Sequence, residues 1–145
     1  MEIVRLSREH IPAVAEIERL CFSSPWSESS LELLLGGDGV GFVALCDGQV
    51  IAYGGMMTVL DEGQISNIAT HPSYRRMGAA RYVTEALAEY GRERALAEIY
   101  LEVRVSNAGA IALYEKCGFF KVGERKGFYR CPTEDAFVMK KILVE

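Results

Sequence analysis

A basic segment stands between a predicted strand and a predicted helix. It runs Tyr74-Arg75-Arg76-Met77-Gly78-Ala79-Ala80-Arg81. Small residues at Gly78 and Ala80 would let a ligand approach backbone N–H groups, while the helix N-terminus and the three arginines would supply positive potential. The segment therefore predicts a site for phosphate groups, and a pyrophosphate would fit there. Considered alone, an ordinary loop with solvated arginines explains it equally well.

The next predicted strand ends in a second polar segment. It reads Leu101-Glu102-Val103-Arg104-Val105-Ser106-Asn107, and Asn107 opens the following helix. In open α/β sheets, ligands bind beyond the carboxyl ends of parallel strands. Because this strand should run parallel to the strand around Ile65, its polar end favours the ligand-binding interpretation of the basic segment.

Hydrophobic periodicity and turn residues predict the elements that would position these segments. Their predicted order is βααβββαβαββ. An Asp47-Gly48 turn predicts a hairpin, and residues 61–63 predict a second turn. The amphipathic helix 78–94 would cross over from the Ile65 strand to the parallel strand at Leu101. The fold class is therefore α/β with a mixed sheet, which strands at 119–122 and 136–144 would close.

One glycine pattern matches a dinucleotide-binding motif but stands in the wrong context. Gly39, Gly41 and Ala44 have the spacing Gly-x-Gly-x-x-Ala, which requires a strand before it and a helix after it. Here a predicted helix precedes the pattern and strand-forming residues follow it. We therefore expect a flexible loop between helix and strand rather than a nucleotide site.

Composition limits the classes of function. The chain has 145 residues, of which 50% are hydrophobic, and this suffices for one domain spanning residues 1–145. Its formal net charge of −4 disfavours broad binding to nucleic acid or to anionic membranes. Because the sequence has neither an apolar run long enough to span a bilayer nor the layout of a signal peptide, we expect a cytoplasmic location.

The four cysteines, Cys21, Cys46, Cys117 and Cys131, are widely spaced, and only two histidines accompany them. Without a Cys-x-x-Cys pair, a structural zinc site is not expected. We expect all four to be small buried hydrophobic side chains, and none is predicted to be a nucleophile.

Together, these segments resemble the GCN5-related N-acetyltransferase (GNAT) superfamily over nearly the whole chain. The basic segment is similar to the superfamily's acetyl-coenzyme A pyrophosphate loop. Further segments, in the same order along the chain, most resemble ribosomal-protein alanine N-acetyltransferases: Pro25-Trp26-Ser27, Asn67-Ile68-Ala69, 101–107 and 110–119. The resemblance implies the GNAT fold, a mixed and mostly antiparallel sheet of six or seven strands flanked by about four helices, with acetyl-CoA as acetyl donor and no metal.

The resemblance also implies which residues contact the coenzyme. They are Ile68, Ala69, Thr70, Arg75, Arg76, Met77, Gly78, Ala79, Ala80, Arg81 and Asn107. The arm of the coenzyme would pair like an added strand where two neighbouring strands separate. The sequence departs from the superfamily's pattern in two places: Ala80 replaces a frequent glycine, and Thr70-His71 replaces a valine and an acidic residue before Pro72.

By the same resemblance, the catalytic roles fall on Glu102 and Tyr114. An α-amino group has a pKa of about 7.7 to 8.0 and is mostly protonated at neutral pH, so acetyl transfer to it needs a base. Glu102 would accept that proton directly or through water, and Tyr114 would protonate the leaving thiolate. A backbone N–H of residues 67–70 would stabilise negative charge on the carbonyl oxygen. The alternatives are a solvated carboxylate for Glu102 and a core aromatic for Tyr114.

The segment that would form the acceptor site matches the family less well than the coenzyme segments do. Aromatic walls and carboxylates suit a peptide amino terminus, which favours Trp26, Tyr129, Glu134 and Asp135. Phe22 is expected to pack in the core instead. In the ribosomal-protein enzymes that the chain resembles, the acceptor is the amino-terminal alanine of small-subunit ribosomal protein S18. The predicted function is therefore direct acetyl transfer from acetyl-CoA to a protein amino terminus, in a ternary complex and without an acyl-enzyme.

Two other functions stay open at this point. An enzyme of the same fold could acetylate a small-molecule amine or another protein amine. A noncatalytic acyl-CoA-binding module would keep the phosphate loop but would not need Glu102.

Overall fold

Seven strands form one mixed sheet in the computed structural model, which describes residues 1–144. The strands are β1 (Glu2–Arg5), β2 (Gly39–Cys46), β3 (Gln49–Val59), β4 (Glu62–Thr70), β5 (Glu98–Arg104), β6 (Phe120–Tyr129) and β7 (Glu134–Ile142). They lie in the order β1-β2-β3-β4-β5-β7-β6. Neighbours are antiparallel except β4 and β5, which are parallel. The expected mixed and mostly antiparallel sheet is confirmed.

Four helices cover the sheet within the described residues. They are α1 (Ile11–Cys21), α2 (Glu28–Leu31, continued by a 3-10 turn at Glu32–Leu35), α3 (Ala79–Glu93) and α4 (Ala108–Lys116). Because alternate strand residues point to opposite faces, Tyr53 packs with α1 and α2, whereas its neighbour Ala52 packs with Val83 of α3. The order of elements agrees with the prediction. None of the helices in residues 1–144 is long and apolar enough to cross a membrane.

Strands β4 and β5 separate towards their carboxyl ends. Their pairing covers three residue pairs and ends at Gln64 and Tyr100. Immediately afterwards β4 carries a β-bulge, in which Ser66 is the extra residue opposite β3. Because a bulge bends its strand, β4 turns away from β5 and leaves an opening between residues 65–70 and 101–104.

Several element boundaries differ from the sequence prediction. The turn after β3 is Leu60-Asp61, because Glu62 already pairs with Val59 as the first residue of β4. The last two strands occupy 120–129 and 134–142 and therefore form a longer hairpin than expected. Their additional residues are mostly polar, so they lack the hydrophobic alternation by which a strand is recognised.

Gly39 and Gly41 lie inside β2 and not in the flexible loop that we expected. Both stand where a side chain does not fit. A Cβ on Gly39 would overlap the carbonyl oxygen of Leu33, and a Cβ on Gly41 would come within 2.8 Å of Leu6 Cδ2. The glycine pattern therefore reflects close packing of the strand against its neighbours.

We expect Gly39→Ala to lower the free energy of unfolding by about 1–3 kcal/mol, since the added methyl group meets backbone that cannot move aside easily. Gly36→Ala is the matched control, because a Cβ there has nothing within 4 Å and its φ of 175° suits any residue. Urea unfolding of both variants measures the difference. Equal stability of the two would contradict the packing explanation.

The cysteines do not all share the buried position that we expected. Cys117 is buried and Cys21 and Cys46 are half-buried, but Cys131 is exposed. The prediction is wrong for Cys131 because this residue lies in the connection between β6 and β7, which runs over the surface.

Candidate active site

A cleft of about 660 Å³ lies in the opening between β4 and β5. The start of α4, the α1–α2 connection and the β6–β7 connection form its other walls. Seven of the predicted site residues line it: Trp26, Ile68, Glu102, Asn107, Tyr114, Tyr129 and Glu134. The fold thus brings predicted cofactor, catalytic and acceptor residues together in one place.

Strand β4 presents unpaired backbone to the cleft. One of its edges pairs with β3 as far as Thr70, whereas the recorded pairing of the other edge with β5 ends at Gln64. The backbone groups of residues 65–69 on that second edge are therefore available to an extended ligand, which would bind like an added strand. The carbonyl oxygen of Thr70 already accepts from Cys21 Sγ at 3.2 Å. Of the predicted contacts here, Ile68 lines the cleft, but the buried Ala69 and half-buried Thr70 do not.

Glu102 reaches the cleft because side chains alternate along β5. Leu101 and Val103 are buried in the core on the helix α3 side, so Glu102 points to the opposite face and is partly exposed. Among residues 1–144 no side chain donates a hydrogen bond to its carboxylate. The two oxygens are consequently open to a water molecule or to an amine that enters the cleft, as proton acceptance requires.

Tyr114 packs in the core and also lines the cleft. Its ring packs in the core, edge-on to Phe119 with centroids 6.0 Å apart, and the residue is 8% exposed. The hydroxyl makes no hydrogen bond within the described residues. Since no fully buried side-chain oxygen there lacks a hydrogen-bond partner, this oxygen is accessible to solvent and opens into the cleft. Burial raises the pKa of this phenol above its ordinary value. Tyr114 is therefore a protonated donor throughout the neutral range.

Asn107 is the N-cap of α4. Its Oδ1 accepts a hydrogen bond from the backbone N–H of Ala110 at 3.1 Å, so the side-chain NH2 group stays available on the cleft side.

The basic segment follows β4 directly but does not line the 660 Å³ cleft. Residues 75–78 are exposed, and Gly78, with a φ of 80°, precedes the first turn of α3 without any side-chain cap. The first N–H groups of α3 are thus free to meet an anion. Arg81 pairs with Glu85 at 2.9 Å, whereas Arg76 makes no ion pair within residues 1–144. The geometry suits a phosphate group next to the cleft.

Aromatic side chains form the opposite wall. Trp26 and Tyr129 line the cleft. Phe22, which we expected in the core, packs against the core and also lines the cleft. The guanidinium of Arg104 lies 4.4 Å from the centroid of the Tyr129 ring. Burial, together with the nearby charge of Glu102, raises the pKa of Tyr129 to about 12, so this residue too is a neutral phenol.

The two predicted acceptor carboxylates are already engaged by the protein. Glu134 lines the cleft, but its Oε2 accepts from the backbone N–H of Ser106 at 2.8 Å and its Oε1 accepts from Arg104 Nη1 at 3.1 Å. These hydrogen bonds hold the pKa of Glu134 below its usual value, and the bond from Ser106 contributes most. Asp135 does not line the cleft, and its Oδ1 accepts from the backbone N–H of Gly127 at 2.8 Å. Both carboxylates therefore hold the β6–β7 hairpin in place.

Two cleft features escaped the sequence prediction. Arg104 donates to the backbone carbonyls of Arg130 and Pro132 and so fixes the connection that carries Tyr129. Glu18 is fully buried beneath the cleft, where it accepts a hydrogen bond from Asn67. The sequence could have indicated that Glu18 is buried, because it lies four residues after Val14 and therefore on the same apolar face of α1.

The comparisons with known proteins agree with this geometry. The model of the acetyltransferase (GNAT) family matches residues 11–119. The [ribosomal protein bS18]-alanine N-acetyltransferase of Escherichia coli (strain K12) is 38% identical over 141 residues, 94% of each chain. A putative enzyme of the same name from Bacillus subtilis (strain 168) is 38% identical over 133 residues, 90% of this chain and 88% of that protein.

A solved structure extends the likeness to the fold. The crystal structure of the Escherichia coli ribosomal-protein-S18-alanine N-acetyltransferase superposes with a TM-score of 0.91 at 35% identity, covering 99% of this chain and 94% of that one. The fold of the chain is therefore shared with a protein named as an N-acetyltransferase. By its sequence and its fold, the chain is an acyltransferase and belongs to the acetyltransferase (GNAT) family.

Proposed function

We propose that this enzyme transfers the acetyl group of acetyl-CoA directly to the N-terminal α-amino group of a protein, and that the acceptor is the N-terminal alanine of ribosomal protein bS18. The observation that carries the proposal is one cleft shared by an unpartnered carboxylate, Glu102, and a protonated phenol, Tyr114, beside the free edge of β4. Relatives covering most of the chain are named for this reaction. A cytoplasmic location and a single catalytic domain over residues 1–145 belong to the same proposal.

The free strand edge and the basic segment fit acetyl-CoA. Acetyl-CoA supplies a thioester, from which the acetyl group is readily transferred. The backbone of residues 65–69 would pair with its extended arm, and the uncapped N–H groups of α3 with Arg76 would hold its pyrophosphate. Ala80, half-buried and small, leaves the approach to that backbone open. Asn107 would contact the arm from the other side of the cleft.

Glu102 would act as the base. A peptide amino terminus arrives mainly as an ammonium group, because its pKa is about 7.7 to 8.0. The carboxylate of Glu102 takes one of its protons, directly or through a water molecule, and leaves a neutral nitrogen that can attack. A backbone N–H of the free β4 edge stabilises the negative charge that develops on the carbonyl oxygen.

Tyr114 would act as the acid. The departing coenzyme leaves as a thiolate, and the phenol of Tyr114 donates a proton to it. Because burial raises the pKa of Tyr114, the proton is present at every pH at which the enzyme would operate. Neither step forms a bond between the acetyl group and the protein.

Trp26 and Tyr129 would enclose the first acceptor residue. Their rings line the cleft, and such aromatic walls would enclose a small side chain such as that of alanine. Glu134 would contribute by keeping the Tyr129 wall in place through Ser106 and Arg104, and Asp135 by holding the same hairpin.

Mass spectrometry of peptides incubated with the protein and acetyl-CoA tests this function. The peptides carry the amino-terminal sequence of bS18 and begin with alanine, serine or glycine. We expect one added acetyl group on the α-amino group of the alanine peptide and slower reaction of the others. Polyamines and aminoglycosides serve as competing acceptors. Acetylation of these amines alone would indicate a small-molecule enzyme, and no transfer to any acceptor would leave only a coenzyme-binding module.

The coenzyme site has its own test in Arg76. We expect Arg76→Ala to raise the KM for acetyl-CoA by about two- to fivefold, as for loss of one exposed charge near a helix N-terminus. Arg92→Ala is the control, because Arg92 lies near the far end of α3 and is paired with Glu89. Steady-state kinetics with acetyl-pantetheine, which lacks the pyrophosphate, should show no effect of Arg76→Ala. An equal effect with both donors would remove Arg76 from the phosphate site.

A further inference from the structure

A buried carboxylate beneath the cleft has no part in the steps above. Glu18 of α1 is 0% exposed. Its Oε1 accepts a hydrogen bond from the backbone N–H of Trp26 at 2.8 Å, and its Oε2 accepts from the Tyr53 hydroxyl at 2.5 Å and from Asn67 Nδ2 at 3.0 Å. The three donors come from the α1–α2 connection, from β3 and from β4. One side chain therefore joins three segments that are far apart in the sequence.

Packing alone does not account for a carboxylate at this position. Moving a charged group out of water costs several kcal/mol even after relaxation, and an apolar side chain of similar size would fill the same space without that cost. Within residues 1–144, Glu18 forms no ion pair with a cation, so its three hydrogen bonds alone compensate its charge. Burial, followed by the charge of Glu18, raises the pKa of Tyr53, which keeps this phenol a donor. The cluster thus favours one defined geometry.

Two of the three donors belong to the walls of the cleft. Trp26 lies on the acceptor side, and Asn67 follows directly after the bulge at Ser66, where the free edge of β4 runs. Tyr53 lies in the core and does not line the cleft. Glu18 consequently spans from the acceptor wall to the strand that would hold the acetyl donor, while Tyr53 holds Glu18 itself in place.

We propose that Glu18 is a positioning residue, whose buried carboxylate fixes the acceptor wall at Trp26 relative to β4 at Asn67 and so sets the width of the cleft for the incoming peptide. The expected effect on peptide binding rests on the proposed function, whereas the expected effect on the exposure of Trp26 does not. Loss of the link should loosen the Trp26 wall and weaken binding of the peptide more than binding of acetyl-CoA, since within residues 1–144 the basic segment forms no hydrogen bond or ion pair with Glu18.

The chain offers a direct probe, because Trp26 is its only tryptophan. Acrylamide quenching of indole fluorescence, excited where tyrosine does not absorb, reports how exposed this wall is. In Glu18→Gln the amide cannot accept from all three donors, so we expect stronger quenching of Trp26. We also expect a rise of about tenfold in the KM for the alanine peptide, as for one hydrogen bond to a charged group, with a smaller change for acetyl-CoA.

Two further variants separate positioning from general destabilisation. Tyr53→Phe removes one hydrogen-bond donor from Glu18 and does not alter a residue that lines the cleft. Stronger quenching of Trp26 in this variant would therefore be an effect transmitted by Glu18. Ile17→Ala is the control: it lies one position earlier on α1, is 1% exposed and leaves every hydrogen bond of Glu18 in place. We expect it to lower the melting temperature without changing the quenching or the peptide KM.

The proposal is overturned if folded Glu18→Gln has the quenching and peptide KM of the unaltered protein, or if Ile17→Ala changes both as much as Glu18→Gln does. If Glu18→Gln does not fold, Trp26 quenching and the peptide KM are compared between Tyr53→Phe and Ile17→Ala instead. The proposal is then overturned if Tyr53→Phe changes neither quantity, or if Ile17→Ala changes both as much as Tyr53→Phe does. If the unaltered protein acetylates no peptide, the proposed function fails, and Trp26 quenching still tests the positioning role of Glu18.

Discussion

Replacing Glu102 by glutamine should lower kcat for the alanine peptide by about 100- to 10,000-fold, the range observed when a positioned general base is lost. Glutamine keeps the size of the side chain but cannot take a proton from the acceptor's ammonium group. The effect should be large because no other predicted acceptor carboxylate is free: Glu134 and Asp135 already accept hydrogen bonds from the protein. Initial rates at saturating acetyl-CoA measure it.

The pH dependence makes this prediction specific. Above about pH 8 most peptide amino termini are already neutral, so the base becomes less necessary. The deficit of Glu102→Gln should therefore shrink as the pH rises from about 7 to about 9. Glu124→Gln is the matched control, because Glu124 shares a neighbouring surface groove with Glu102 but pairs with Lys121 at 2.8 Å. A native rate for Glu102→Gln would exclude Glu102 as the base.

Removing the hydroxyl of Tyr114 should lower kcat by about 100-fold, at the lower end of the range for general acid catalysis, with little change in the KM for acetyl-CoA. Phenylalanine keeps the ring that packs edge-on to Phe119, so the fold should survive. Only the tip of the side chain, which opens into the cleft, is lost. Steady-state kinetics with both substrates varied would separate kcat from the two KM values.

The leaving group provides the decisive comparison for Tyr114. An acetyl thioester of a more acidic thiol needs less help from an acid, so the deficit of Tyr114→Phe should become smaller with such a donor. Because burial raises the pKa of Tyr114, the native enzyme should not lose activity through its deprotonation below about pH 10, the ordinary value. Tyr90→Phe is the control, since the Tyr90 ring packs against Phe42 away from the cleft. Unchanged turnover in Tyr114→Phe would remove it from the mechanism.

The order of the elements could be predicted because its signals are local. Strand and helix periodicities, the Asp47-Gly48 turn and Gly78 at the start of an amphipathic helix each involve residues close together in the chain. The same holds for the basic segment, whose charge and small residues lie within eight positions. The β6–β7 hairpin was predicted too short because polar residues in an edge strand carry no hydrophobic alternation.

Gly39 and Cys131 show where local patterns fail. Gly39 looked like a flexible loop residue, yet the approach of the Leu33 carbonyl is what excludes a side chain there. Cys131 was expected inside because cysteine is usually buried, but the surface path of the β6–β7 connection decides its exposure. In both cases the deciding contact or position is set by how separate elements pack.

Sequence alone therefore predicts the element order and the basic segment, because these depend on residue type and short-range spacing. The roles of Glu102 and Tyr114 come from the family resemblance of the segments that contain them, and they stay predictions. Only the packed fold decides that Glu134 is held by Ser106 and Arg104 and that Glu18 joins Trp26 to Asn67. Most of these hydrogen bonds join residues 28 to 49 positions apart. Their geometry exists only after the sheet has brought distant segments together, so no periodicity in the chain encodes it.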